Sequence, residues 1–84
     1  MRQREKDRLR KAVEKAWAIK DRAEASDAAF ELLDRFAHSS NSDGYEAAAD
    51  RWRWRNIEAS SLGTANGYRA YRANDMRLLA EIGA

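Results

Sequence analysis

The fold is decided between Leu9 and Ala37, where the sequence reads LRKAVEKAWAIKDRAEASDAAFELLDRFA. On a helical wheel the first part carries one apolar stripe, made of Leu9, Ala12, Val13, Ala16, Trp17, Ile19 and Ala23. The second part carries another stripe, made of Ala29, Phe30, Leu32, Leu33, Phe36 and Ala37. The two stripes differ in direction by roughly 150°, so one straight helix could not turn both toward a single core. Ser26 and Asp27 favour helix N-caps and predict a break near residues 25–27.

The second half of the chain predicts two further helices. His38–Gly44 is rich in serine, asparagine and aspartate, which indicates a loop. Asp43 followed by Glu46 resembles a capping box at the start of a third helix, and Gly63 is a plausible stop after it. The third helix has the stripe Tyr45, Ala48, Ala49, Trp52, Asn56 and Ala59, and the fourth has Tyr68, Tyr71, Leu78, Leu79 and Ile82.

These patterns predict an all-α protein, a small four-helix bundle in which residues 1–84 form a single domain. The expected helices cover about 4–24, 27–38, 44–60 and 67–82. A rival arrangement is a three-helix body with the first helix partly detached, because the first turns of that helix are almost wholly charged. A chain of 84 residues buries a modest share of its surface, so we expect limited stability unless it forms a homodimer or docks on a partner.

Composition restricts the classes of function. The chain has no cysteine, which excludes disulfides, thiolate catalysis and cysteine zinc sites. No apolar run reaches the ~18 residues of a membrane span, and the charged N-terminus has no signal-peptide core. We therefore expect a soluble cytoplasmic protein that does not use a membrane. The net charge of +2 combines a basic segment (1–22), an acidic segment (23–50) and a basic segment (51–84).

Catalytic, metal and phosphate-loop motifs are absent from the sequence. His38 is the only histidine, and its place at the end of a helix is explained by a favourable interaction with the helix dipole. No glycine-framed turn surrounds the nearby serines, and no clustered acid or histidine motif suggests a metal site. We therefore expect neither an enzyme nor a cofactor.

Arg51-Trp52-Arg53-Trp54-Arg55 indicates a binding protein, because tryptophan and arginine are enriched at the energetic centre of binding surfaces. Trp52 follows the main stripe of its helix and is expected in the core. Trp54 lies ~200° away, on a minor face with Ala47 and Ile57. This face is either packed within the bundle or exposed as an anchor ringed by Arg51, Arg53 and Arg55. The acidic Glu31 and Asp34, on one face of the second helix, are a further candidate docking surface.

The segment from Ile57 to Arg72 partly resembles a helix-turn-helix DNA-binding motif. Ala59 precedes Gly63 by four residues, and Leu62 stands before the glycine, as in that family. The chain departs from the family at Glu58 and Arg69, where apolar residues are expected. The resemblance implies a recognition helix from which bases or phosphates would be reached by Asn66, Tyr68, Arg69 and Arg72.

Two functions follow as expectations. The first is a non-enzymatic protein-binding module that docks on a larger protein or a nucleoprotein complex. In size, absence of cysteine, mixed charge and lack of motifs, the chain resembles the small phage-encoded inhibitors, including anti-CRISPR proteins. The alternative is a small helix-turn-helix transcriptional regulator, with nucleic acid as its partner.

Overall fold

The computed structural model describes all of residues 1–84 and consists of helices joined by short connections, with no β-strand. The four α-helices are α1 (Gln3–Trp17), α2 (Arg22–Ala37), α3 (Glu46–Ala59) and α4 (Thr64–Glu81), and a 3₁₀ turn covers Ser40–Ser42. The molecule measures 35 × 24 × 18 Å. The expected all-α, four-helix bundle is confirmed. None of its helices combines the length and the apolar character that crossing a bilayer requires.

The core draws on all four helices, and α4 lies against each of the other three. Its largest fully buried side chains are Trp52, Leu33, Leu78, Ile82 and Val13. Complete burial of a large aliphatic side chain contributes roughly 1.5–3 kcal/mol. The first helix is docked as well, because Val13, Ala16 and Trp17 are buried and Met1 and Leu9 pack against the core. The rival arrangement with a detached first helix is therefore wrong.

The break between α1 and α2 lies at residues 18–21, earlier than the expected break at 25–27. Asp21 is the N-cap of α2, and its side chain accepts a hydrogen bond of 2.9 Å from the backbone N–H of Glu24. Arg22 donates to the backbone carbonyls of Trp17 and Ile19, so its guanidinium satisfies the C-terminus of α1. Ala25, assigned to the break by the sequence, is fully buried on α2.

The expected capping box of Asp43 and Glu46 at the start of α3 does not form. Tyr45 is the N-cap residue and makes no side-chain cap hydrogen bond, whereas Asp43 ends the 3₁₀ turn. The Glu46 carboxylate accepts hydrogen bonds from its own backbone N–H and from that of Gly44, which lower the pKa of Glu46. Gly44 has a φ of +88°, a left-handed conformation that favours glycine. The chain therefore turns into α3 through Gly44.

The connection between α3 and α4 is shorter than expected. Gly63 is the N-cap of α4, with a φ of −62°, and does not terminate α3 in a left-handed conformation. As a result α4 begins at Thr64 rather than near residue 67. Gly83 has a φ of +79°, so the end of α4 before this glycine agrees with the expectation.

Candidate protein-binding surface

Trp54 lies on the outer side of α3 with 65% of its surface exposed, whereas Trp17 and Trp52 are 3% and 1% exposed. Ile57, three residues after Trp54, is 59% exposed, and Ala47 is also exposed. Residues three apart lie on one face of a helix, so Trp54 and Ile57 form an apolar patch, here called the α3 patch. Of the two interpretations left open by the sequence, the structure shows the exposed one.

Arg51 and Arg55, on either side of Trp54 in the sequence, bind the C-terminal end of α4. Arg51 Nη2 lies 2.9 Å from Glu81 Oε2, and Arg55 Nη1 lies 3.3 Å from Glu81 Oε1. Arg77 adds a third guanidinium, with Nε 3.4 Å from Glu81 Oε1. The hydrogen bond from Arg51 is the main cause that lowers the pKa of Glu81. Arg51 and Arg55 therefore join α3 to α4, and their charges are paired with Glu81.

Arg53 lies on another side of α3 and lines a groove between α2 and α3, here called the α2–α3 groove. Its Nη1 is 3.3 Å from Asp50 Oδ1, so its charge is engaged within α3. The groove has a volume of about 470 Å³, within the range of ligand sites. Phe30 of α2, 48% exposed, and Ile57 of α3 are the exposed large apolar residues in its lining.

The acidic residues Glu31 and Asp34 lie on α2 beside Phe30, where they border a second, shallower depression. Glu31 is exposed and forms no ion pair. Asp34 is half-buried, and its Oδ1 lies 3.4 Å from His38 Nδ1. The same nitrogen is 2.8 Å from the backbone oxygen of Asp34, in agreement with the expected role of His38 at the helix end. Glu31 thus remains unpaired on the surface of α2, whereas Asp34 lies against His38.

Tyr68, Arg69 and Arg72 lie together near the start of α4, away from the α3 patch. With Trp17 and Arg22 they line a depression of about 350 Å³. Arg69 and Arg72 are exposed and have no carboxylate within 4.0 Å, so their charges are not neutralised by the fold. The expected binding residues therefore occupy two separate regions rather than one continuous surface.

The helices α3 and α4 form an antiparallel hairpin. Contacts continue from its open end, where Arg51 pairs with Glu81, to its closed end, where the backbone oxygen of Ala59 lies 3.6 Å from the Cβ position of Gly67. Between these ends the Asn74 amide donates to Asn56 Oδ1 at 3.0 Å. The segment 57–72, which resembles a helix-turn-helix motif in sequence, covers the end of α3, the connection at 60–63 and the start of α4.

Asp75 joins the two buried tryptophans beneath the α2–α3 groove. Trp17 Nε1 donates to Asp75 Oδ2 at 2.9 Å, and Trp52 Nε1 donates to Asp75 Oδ1 at 2.7 Å. Asp75 is 3% exposed, and this burial raises its pKa to about 6, although both indole hydrogen bonds act in the opposite direction. Because an indole N–H can only donate, the carboxylate is the acceptor that allows both rings to be buried.

Sequence reasoning missed Asp75 and misplaced Phe30. The spacing of Tyr71, Asp75 and Leu78 puts the aspartate on the apolar stripe of α4, and this is a signal that an indole donor lies opposite. Phe30 was assigned to the core stripe of α2, but its ring stacks on the outer side of the buried Trp52 ring, with centroids 5.4 Å apart. No sequence signal distinguishes this position from the neighbouring core positions.

Comparisons of the chain with protein families, with curated proteins and with solved structures found no match.

Proposed function

We propose that the protein is a non-enzymatic protein-binding module that docks on a larger protein or a nucleoprotein complex. The observation that carries the proposal is the exposure of Trp54, at 65%, beside Ile57, at 59%. Large aromatic side chains supply most of the binding energy at protein interfaces when they become buried. An exposed tryptophan is also not needed by this fold, whose core already contains Trp17 and Trp52.

Replacement of Trp54 by alanine tests this proposal. The tagged wild-type protein is used to retain partners from cells, and the retained proteins are quantified by mass spectrometry. We expect Trp54→Ala to reduce the retention of a specific partner at least tenfold, as for an interface hot spot. Leu62→Ala is the matched control, because Leu62 is 49% exposed but lies in the turn after α3. Equal retention by both variants would contradict the proposal.

A narrower form of the proposal is an inhibitor encoded by a phage, of the anti-CRISPR type. It is supported by the small size, the absence of cysteine and the mixed charge of the chain. Expression of the protein in cells that carry an active CRISPR system should then protect a targeted plasmid, and Trp54→Ala should remove this protection. Full plasmid loss across a panel of CRISPR types would leave the wider proposal in place and overturn the narrower one.

The alternative function, DNA binding, is favoured by the unneutralised charges of Arg69 and Arg72. Phosphate contacts by arginine would give an affinity that falls steeply with salt. In a gel-shift titration with non-specific duplex at low salt, retardation at micromolar protein that is lost in Arg69→Ala and Arg72→Ala would support this function. An absence of retardation would favour the protein-binding module.

A further inference from the structure

The α2–α3 groove has the dimensions of a site for two turns of a helix. The helices α2 and α3 run antiparallel, because Phe30 pairs with Trp52 and Phe36 with Tyr45 in two aromatic contacts. On α2 the lining extends from Ser26 to Asp34, which corresponds to about 12 Å along the helix axis. Tyr71 and Asp75 of α4 line the groove as well, so that it is closed on its inner side.

The apolar surface of this groove is held in place by the core. Phe30 is 48% exposed but stacks on the fully buried Trp52, with ring centroids 5.4 Å apart. Ile57 supplies apolar surface from α3 and is 59% exposed. A ring that already rests on a buried neighbour loses little conformational freedom when a ligand covers it. The groove is thus arranged to receive apolar side chains.

The charges around the groove select the chemistry of its occupant. Three carboxylates line it, those of Asp27, Asp34 and Asp75, and the only cation is Arg53, which is engaged with Asp50 at 3.3 Å. Asp27 forms no ion pair within the protein, and neither does Glu31 one turn further along α2. Arg35, which lines the adjoining depression together with Glu31, is the guanidinium on this side. The three carboxylates of Asp27, Glu31 and Asp34 outnumber it, so the α2 side of the groove has an excess of negative charge, which complements a basic partner.

We propose that the α2–α3 groove binds an amphipathic helix of the partner protein. Apolar side chains of that helix contact Phe30 and Ile57, and its lysine or arginine side chains meet the carboxylates of α2. The all-helical fold has no sheet edge to which an extended peptide could add, whereas a groove between two helices is a common site for a third. This inference rests on the proposed protein-binding function and assigns the partner's chemistry.

The probe for this site is a labelled leucine–lysine peptide of about 15 residues, the length at which isolated helices begin to form. A leucine–glutamate peptide of the same pattern is the charge-reversed control. Binding to the full-length protein is measured by fluorescence anisotropy. We expect the lysine peptide to bind with a dissociation constant in the micromolar range, and the glutamate peptide to bind at least tenfold more weakly.

Groove variants identify the place of binding. We expect Ile57→Ala, Phe30→Ala and the double variant Asp27→Asn/Asp34→Asn each to weaken the binding of the lysine peptide at least tenfold. Leu62→Ala is the matched apolar control, and Glu24→Gln/Glu58→Gln removes two acids that do not line the groove. Neither control should change the affinity more than about twofold. Thermal unfolding followed by circular dichroism identifies any variant that is not folded. If Phe30→Ala does not fold, Asp27→Asn/Asp34→Asn takes its place, because Ile57 also belongs to the α3 patch.

Several results would overturn the groove assignment: no binding of the lysine peptide, equal binding by wild type and Ile57→Ala, or tighter binding of the glutamate peptide. A concentration-dependent dimer that Ile57→Ala dissociates would assign the groove to a second copy of the chain and would also overturn it. None of these results contradicts the proposed function. That function is tested separately, by the loss of a cellular partner in Trp54→Ala. Conversely, loss of the peptide in Trp54→Ala alone would support the α3 patch and not the groove.

Discussion

At the scale of single residues, Asp75 links three helices within the core. Its carboxylate accepts both buried indole donors and connects α1, α3 and α4 through Trp17 and Trp52. A buried carboxylate is costly in its charged form, and this cost is reflected in a pKa raised to about 6. Asp75 therefore satisfies the indoles at a cost in stability that depends on pH.

We expect the stability difference between wild type and Asp75→Asn to depend on pH. Between pH 3.8 and about pH 6 the native state retains the proton on the Asp75 carboxyl, whereas the unfolded state has released it. Native Asp75 therefore binds more protons, and the free energy of unfolding of wild type falls as pH rises through this window. Relative to Asp75→Asn, the free energy of unfolding of wild type should fall by roughly 2 kcal/mol between pH 4 and pH 7. Urea unfolding at several pH values measures it.

Glu81→Gln is a control for this experiment, because the pH dependence of its stability difference from wild type should have the opposite sign. Because the folded-state pKa of Glu81 is lowered, the ion pairs with Arg51 and Arg55 stabilise the protein at neutral pH. Their contribution is lost as pH falls through the folded-state pKa, so the advantage of wild type over Glu81→Gln should shrink in acid. A difference between wild type and Asp75→Asn that stays flat or rises with pH would show that the pKa of Asp75 is not raised.

Substitution by phenylalanine should change the stability of the protein much more at Trp52 than at Trp54, the two tryptophans of the Arg-Trp-Arg-Trp-Arg segment. Trp52→Phe removes a buried hydrogen bond to a carboxylate and leaves a small cavity, so we expect a loss of roughly 2–4 kcal/mol in the free energy of unfolding. Trp54→Phe changes an exposed side chain and should alter stability by no more than about 0.5 kcal/mol. Unfolding in denaturant measures the free energy of unfolding of wild type and of both variants. Equal losses would mean that Trp54 is also packed.

At the scale of secondary-structure elements, the corner between α1 and α2 is formed by capping interactions. Asp21 caps the first turn of α2, and Arg22 satisfies the last carbonyls of α1. Because the chain turns at this corner, the apolar stripe of α2 that begins at Ala25 faces the same core as Trp17 of α1. The position of the corner is thus determined by two adjacent side chains and not by the serine and aspartate at 26 and 27.

Alanine substitution locates this corner experimentally. Asp21→Ala should reduce the free energy of unfolding by about 1 kcal/mol, because it removes the N-cap hydrogen bond. Asp27→Ala is the matched control, since Asp27 lies inside α2 and is exposed. Its substitution should leave stability unchanged or slightly raised, because alanine is the better helix former. A larger loss for Asp27→Ala would place the helix start where the sequence suggested.

At the scale of the whole molecule, the bundle buries two of its tryptophans and leaves the third outside. Four thin helices enclose little volume, and the Trp17–Asp75–Trp52 junction already occupies part of the interior. Large apolar residues therefore remain on the surface, and Phe30, Trp54 and Ile57 are all found on α2 or α3. An apolar surface of this kind suits a protein that associates with another macromolecule.

Fluorescence quenching should report this distribution of tryptophans. Acrylamide should quench one accessible component of the wild-type emission, from Trp54, while emission from Trp17 and Trp52 is protected. Trp54→Phe should remove the accessible component and leave a spectrum that acrylamide quenches weakly. Strong quenching that persists in Trp54→Phe would indicate that the buried indoles open to solvent, and would contradict the packed core.

The sequence by itself determined the helical class, the number of helices and the core position of Trp52, because apolar periodicity is a local property. It also separated Trp54 from Trp52 through their opposite directions on one helix. The tertiary structure alone decided that Asp75 meets indoles 58 and 23 residues away, and that Arg51 and Arg55 bind Glu81. It also decided that Phe30 covers Trp52 from outside. Such pairings depend on how helices pack side by side, and helical periodicity carries no information about which faces meet.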